Sequence, residues 1–228
     1  MVGLLAAALP FTAVVALDPS GWFPFSVAKW SAVVVVGLAS CAAALVAAAT
    51  VPMNRPLGRV ERVGAVMFLS LVAVTALSAV WGLDGIYTWI GTPVRHLGAL
   101  TWLFFGAMFL VGHRVADADR SIETVVHGVV LAGLALGLYC VVEATFGAPV
   151  EFVSNSSRLG GPFGSAAYLG AACCLLGPVA LSMAVDRGTS TAWRLTAGSA
   201  AALLTVAFVG SGSRAAFVGV LVAVLIGV

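Results

Sequence analysis

Three arginines stand in glycine-rich settings that suit the binding of an anion. The segments are Gly91-Thr92-Pro93-Val94-Arg95-His96-Leu97-Gly98, Arg158-Leu159-Gly160-Gly161-Pro162-Phe163-Gly164-Ser165, and Ser211-Gly212-Ser213-Arg214-Ala215-Ala216. A guanidinium is a planar fork of donors that matches phosphate in a bidentate way and stays charged at any relevant pH. Glycines beside it allow positive φ and a close backbone approach to a ligand. Arg158 and Arg214 also precede apolar stretches that read as helices, whose first amides and dipole favour anions. The chemistry this implies is recognition of an anionic headgroup at the membrane surface. For any one of these arginines alone the plainer reading is a side chain snorkelling from a helix end to lipid headgroups. His96, next to Arg95, reads either as a proton shuttle or substrate contact or as a helix-end histidine donating to a carbonyl.

The elements that must position these residues are membrane helices. The chain has 228 residues, 61% hydrophobic and 9% charged, with a mean hydropathy of +1.11. A soluble domain usually carries about 25% charged residues, so this composition excludes an ordinary water-soluble enzyme, a disordered chain and a disulfide-stapled module. Apolar runs at 1–17, 30–49, 63–81, 96–112, 125–145, 165–185, 195–210 and 215–228 contain, of all Asp, Glu, Lys and Arg residues, Glu143 alone. Backbone polar groups in lipid must be satisfied within the segment or a closed barrel. The runs are continuous rather than alternating, so helices are predicted. The expected fold is all-α: a single polytopic transmembrane bundle over 1–228 with about eight helices and no soluble domain.

Basic residues are enriched in cytoplasmic loops. The connections at 50–62, 113–124 and 186–194 hold Arg55, Arg59, Arg62, Arg114, Arg120, Arg187 and Arg194, whereas the alternate ones hold Lys29, Arg95, Arg158 and Arg214. Seven against four predicts a cytoplasmic N-terminus and places the three glycine-flanked arginines outside. The expected location is the cytoplasmic (inner) membrane, multi-pass. The first run, short and interrupted by Pro10, is the weakest span. The last run, at about 1.5 Å per residue, falls short of a hydrocarbon core of about 30 Å, which reads as a chain cut inside its last helix.

Other residues carry less. Glu143, two residues before the end of its run, is read as an interface residue rather than a buried relay. His113 and His127 read as flanking helices, and Gly133-x-x-x-Gly137 as a close helix contact. The four cysteines (Cys41, Cys140, Cys173, Cys174) lie in the predicted spans and read as small apolar packing residues. No HExxH, carboxylate cluster, GxSxG or Walker loop occurs, and Asp84 is a lone acid, so no metal and no cofactor is expected. A net charge of +2 argues against nucleic acid as a partner; membrane lipid is one.

At the three arginine segments the sequence resembles the O-antigen ligase/polymerase superfamily, integral-membrane transferases that act on polyprenyl-diphosphate-linked glycans. The family commonly has an outer-loop arginine followed by Gly, matched by Arg95-His96-Leu97-Gly98. It continues with Arg-x-x-Gly-x-Phe-x-Asn-Pro-Asn leading into a Tyr-Leu helix, matched by Arg158 to Ser165 and then Ala166-Ala167-Tyr168-Leu169. A later Ser-Arg-Gly-Ala helix start is matched by Ser213-Arg214-Ala215-Ala216. Order, spacing and side agree over about 60–228. Ser165-Ala166-Ala167 replaces the family's Asn-Pro-Asn, and its large outer loop with a histidine base would lie beyond Val228.

The resemblance implies metal-independent glycosyl transfer, in which arginines stabilise a departing polyprenyl diphosphate. Arg158 and Arg214 are the expected diphosphate contacts with Arg95 third, and His96 and Ser165 are candidate substrate contacts. A catalytic base is not assigned. The chain reads as the N-terminal part of a longer ligase-like protein. Two other readings stand beside this one: a non-catalytic truncated membrane protein, and a transporter or flippase-like module, which should show ionisable residues at mid-span.

Overall fold

The computed structural model describes residues 1–18, 27–50, 58–81, 85–92, 98–116, 119–149 and 158–227. Arg95, His96, Asp84 and Arg55 lie outside the described residues. The described chain is all-helical. In order it forms α1 (Val2–Val15), α2 (Val27–Thr50), α3 (Arg59–Trp81), α4 (Gly85–Ile90), α5 (Ala99–Ala116), α6 (Asp119–Phe146), a 3-10 turn (Gly161–Phe163), α7 (Ala166–Val185), α8 (Thr191–Ser211) and α9 (Arg214–Gly227). Six of these helices, α2, α3, α5, α6, α7 and α8, are long and apolar enough to cross a membrane. The protein is a multi-pass membrane bundle. The two helices at the chain ends, α1 and α9, have 14 residues each, about 21 Å of rise. Each apolar run of the sequence overlaps one of these helices, most of which extend past the run by a few residues; α4 and the 3-10 turn are additions.

The helices fall into two compact units. One comprises Met1–Ala6 and Val34–Thr124, the other Ala7–Val33 and Val125–Val228. In the first, α3, α4 and α5 pack together. Gly37 accommodates the Phe104 ring and Gly106 accommodates Phe68, so ring edges fit where a Cβ would collide. His113 is buried in α5, with no partner for Nε2 among the described residues; the sequence reading had it merely flanking a helix.

The second unit is built on α6, α7 and α8. Leu136 and Cys140 of α6, Leu169 and Cys173 of α7, and Leu204 and Ala207 of α8 form one buried cluster. Val130, Ala180, Met183, Ala197 and Ala200 form another. The α8 positions 197, 200, 204, 207 and 211 recur every three or four residues, the spacing of one helix face. Small residues there bring backbones close, because lipid offers no hydrophobic drive between helices and packing must supply it. Gly133 and Gly137 of α6 face Leu204 and Leu203 of α8, and a Cβ at either glycine would press on them. Gly170 of α7 meets Ser213 and Ala216 in the same way. His127 of α6 stacks on Trp193 of α8, with centroids 3.8 Å apart and planes 10° from parallel.

Candidate functional site: a glycine-rich end with three cations

The end of the second unit where α1, α6 and α8 finish and α2, α7 and α9 begin gathers Lys29, Glu143, Arg158 and Arg214. Its geometry starts at the α8–α9 turn. Gly212 takes a left-handed conformation (φ +53°) and its amide closes on Val209 O, which ends α8. The chain reverses at once. The Ser213 hydroxyl accepts from the Ala216 amide and so caps α9, whose first residue is Arg214. Ser211 and Ser213 are both buried. The Ser-Gly-Ser-Arg sequence is thus a helix stop, a turn glycine, a cap and a helix start in four residues. The arginine emerges exposed, making no hydrogen bond or ion pair with any described residue.

Arg158 comes to this turn from the α6–α7 connection. Its Nε donates to Ser211 O at 2.9 Å and its Nη2 to Gly212 O at 3.0 Å, while the Leu159 amide donates to Gly210 O at 3.1 Å. The two arginine segments, more than fifty residues apart in sequence, therefore meet. The contact differs from the sequence expectation in one respect. Arg158 does not sit at a helix N-terminus; seven residues separate it from α7, and its guanidinium lies on the C-terminal carbonyls of α8. The physical reason is the helix end itself: the last carbonyls of a helix lack intrahelical donors and carry its negative pole, both of which a guanidinium satisfies.

The connection after Arg158 is held from below. Gly160 has right-handed backbone angles and Gly161 left-handed ones (φ +60°), so their amides point to the same side. The Glu143 carboxylate receives both: Gly160 N donates to Oε1 at 2.9 Å and Gly161 N to Oε2 at 2.8 Å. Glu143 lies three residues before the end of α6 and is half-buried. The turn closes through Gly164 N to Gly161 O and Ser165 N to Gly160 O, and Ser165 is the half-buried residue that precedes α7. Its hydroxyl makes no capping bond.

Lys29 completes the end. It is 9% exposed, and Nζ donates to Val14 O at 3.0 Å and Ala16 O at 2.9 Å, capping α1. Its ammonium also stands 5.3 Å from the centroid of the Phe163 ring, a cation–π distance. Sequence reasoning counted Lys29 only as one basic residue among four and read Glu143 only as an interface residue. The signal for Glu143 was its solitude in an apolar run. Lys29 offered no signal beyond being a cation in the first turn of a long apolar helix, since its partners lie 13 and 15 residues away on another helix.

An apolar cavity of about 780 Å³ opens between α7, α8 and α9. Cys174, Pro178, Leu181, Leu204, Phe208 and Val220 line it. Phe208 packs on Phe217, one turn into α9 from Arg214, with ring centroids 4.5 Å apart, so the cavity begins just below the arginine end. Among the described residues no three His, Cys, Asp or Glu side chains converge as a metal site would require. At the opposite end of the unit, Asp186 accepts from the Gly188 amide and the Thr189 hydroxyl, which holds its carboxyl below the usual aspartate range. No family model, no curated protein and no solved structure matches this chain.

Proposed function

We propose that this protein is an O-antigen ligase-like membrane transferase that binds a polyprenyl-diphosphate-linked glycan at the Arg158–Arg214 end and transfers or polymerises the glycan. The observation that carries the reading is the pair of bonds from Arg158 to Ser211 O and Gly212 O. They draw the two glycine-flanked arginine segments into one turn and leave Arg214 exposed at the first residue of α9. A guanidinium placed on the positive pole of a helix is an unfavourable pairing by itself, and an anionic ligand resolves it. The cavity below suits the apolar carrier: a lipid tail lies against Phe208 and Leu204 while its diphosphate stays at the helix ends. Donors held in place around the leaving diphosphate would stabilise charge as the sugar–phosphate bond breaks.

In this reading α1 and α9 join the six longer helices as spans. The excess of basic residues on the other connections sets the N-terminus in the cytoplasm and the arginine end outside. The protein then works in the cytoplasmic membrane, with Ser165 beside the substrate.

The test is binding of a short-chain polyprenyl diphosphate to the protein in zwitterionic nanodiscs, followed by release of that diphosphate from a lipid-linked oligosaccharide. A guanidinium–phosphate hydrogen bond contributes about 1.5–3 kcal/mol, so Arg214→Ala should weaken binding by about 10- to 100-fold. Binding of that variant equal to the native protein would overturn the assignment.

A further inference from the structure

The Gly160 and Gly161 amides already hold an anion, and it is the protein's own. Successive amides in right-handed then left-handed conformation form a concave donor pair, the arrangement with which backbones receive phosphate oxygens. The Glu143 carboxylate fills that concavity with one oxygen per amide, at 2.9 and 2.8 Å. Two features make its residence conditional. Glu143 projects from the last turn of α6, where the helix dipole disfavours negative charge, and it is only half-buried, so water and ligand reach it. The amide pair also stands two and three residues after Arg158, on the same turn of chain that reaches the start of α9.

We propose that the Gly160–Gly161 amide pair is a phosphate subsite and that Glu143 is its internal occupant, displaced when the diphosphate arrives. The subsite rests on the diphosphate reading given above and adds regulation to it. With no ligand the carboxylate satisfies the two amides and fixes the Gly160-Gly161-Pro162 turn. A phosphate oxyanion takes over both donors, and the carboxylate turns toward water at the end of α6. Exchange of one oxyanion for another leaves no backbone donor unpaired, which is why the loop survives both states. Gly161 is needed for the pair, because any side chain there would be strained at φ +60° and would press on Leu169 and Cys140.

The experiment follows the two glycine amides by 15N–1H resonances in the native protein in zwitterionic nanodiscs. Titrants are inorganic diphosphate and, separately, a short-chain polyprenyl diphosphate. Movement of the Gly160 and Gly161 resonances with either titrant supports the subsite. Movement with inorganic diphosphate at similar concentration makes the phosphate alone the recognised group, and movement only with the prenyl compound makes it lipid-borne. Resonances that stay still under both titrants overturn it.

Glu143→Gln supplies the second arm. The amide side chain offers one neutral acceptor in place of two charged ones, so prenyl diphosphate should bind about fivefold more tightly than to the native protein. A residue that only props the loop predicts the opposite sign, and equal or weaker binding overturns the displacement. Arg214→Ala in the same assay separates the two readings. Lost binding there without a gain at Glu143→Gln leaves the diphosphate site standing and removes the displacement. Moving glycine resonances together with native-like binding of Arg214→Ala leave the subsite standing and remove Arg214.

Discussion

Truncating Arg158 to alanine should part the α6–α7 connection from the α8–α9 turn, and the size of the effect follows from its two bonds. The Nε bond to Ser211 O is 2.9 Å long and partly buried; the Nη2 bond to Gly212 O is 3.0 Å and exposed. A hydrogen bond with a charged partner contributes about 1.5–3 kcal/mol when shielded and less in solvent. Together the pair contributes about 2 kcal/mol, roughly 30-fold in the equilibrium between joined and parted segments. The reporter is the Leu159 amide, bound to Gly210 O at 3.1 Å, whose exchange with deuterium requires that parting. Its protection in nanodiscs should fall by roughly 30-fold in Arg158→Ala. Arg158→Lys keeps the charge without the fork and should recover only part of it. If the alanine variant protects Leu159 within about threefold of native, the guanidinium does not hold the two segments together, and the argument that it assembles the site fails.

Other perturbations test other parts of the unit. Lys29→Met withdraws the donor from the Val14 and Ala16 carbonyls, costing about 1–3 kcal/mol, and a lowered thermal midpoint in detergent with earlier proteolysis at the end of α1 should report it. Gly137→Ala drives a methyl into Leu203 and should cost about 1–3 kcal/mol, whereas Gly198→Ala, with Ala184 Cβ 3.9 Å from its new methyl, should be neutral in the same denaturation assay. Asp186 titrates below its ordinary value because Gly188 and Thr189 donate to its charged form. What it contributes to the α7–α8 turn is therefore present at neutral pH and lost as pH falls below about 4. Thr189→Val should move its carboxyl titration upward by NMR.

The helices were legible because lipid makes apolar length the dominant signal, and each run overlaps one helix of the described chain. Their boundaries were less so. The run at 30–49 excluded Lys29 because a lysine ends an apolar count, yet α2 begins at Val27 and absorbs it; the side chain leaves the helix surface to cap α1, a contact with no periodic signature. The α8–α9 turn was readable as a turn with an arginine after it, since Gly212 and the serines are turn and cap residues. That Arg158 would lie on that turn was not, because a bond between residue 158 and residues 211 and 212 is decided by packing of α6, α7 and α8. The Gly160–Gly161 pair was read for its freedom; what that freedom serves, two amides aimed at Glu143, needed the fold.

Helix polarity separates the three cations of this end into two kinds. Lys29 and Arg158 lie on the carbonyl ends of α1 and α8, where the dipole and the orphan acceptors both favour positive charge, so each is stabilising without any ligand. Arg214 is the first residue of α9, at the amide end, where the same dipole disfavours it by about 0.3–1 kcal/mol. Alanine replacements should therefore differ in sign: loss of Lys29 or Arg158 destabilises the fold, whereas loss of Arg214 leaves stability unchanged or slightly raised. A side chain that structure alone would not favour at its position is the one whose removal should cost ligand binding. A clear drop in the unfolding midpoint of Arg214→Ala, comparable to that of Arg158→Ala, would show that Arg214 too serves the fold, and the case for it as an anion contact would lose its physical basis.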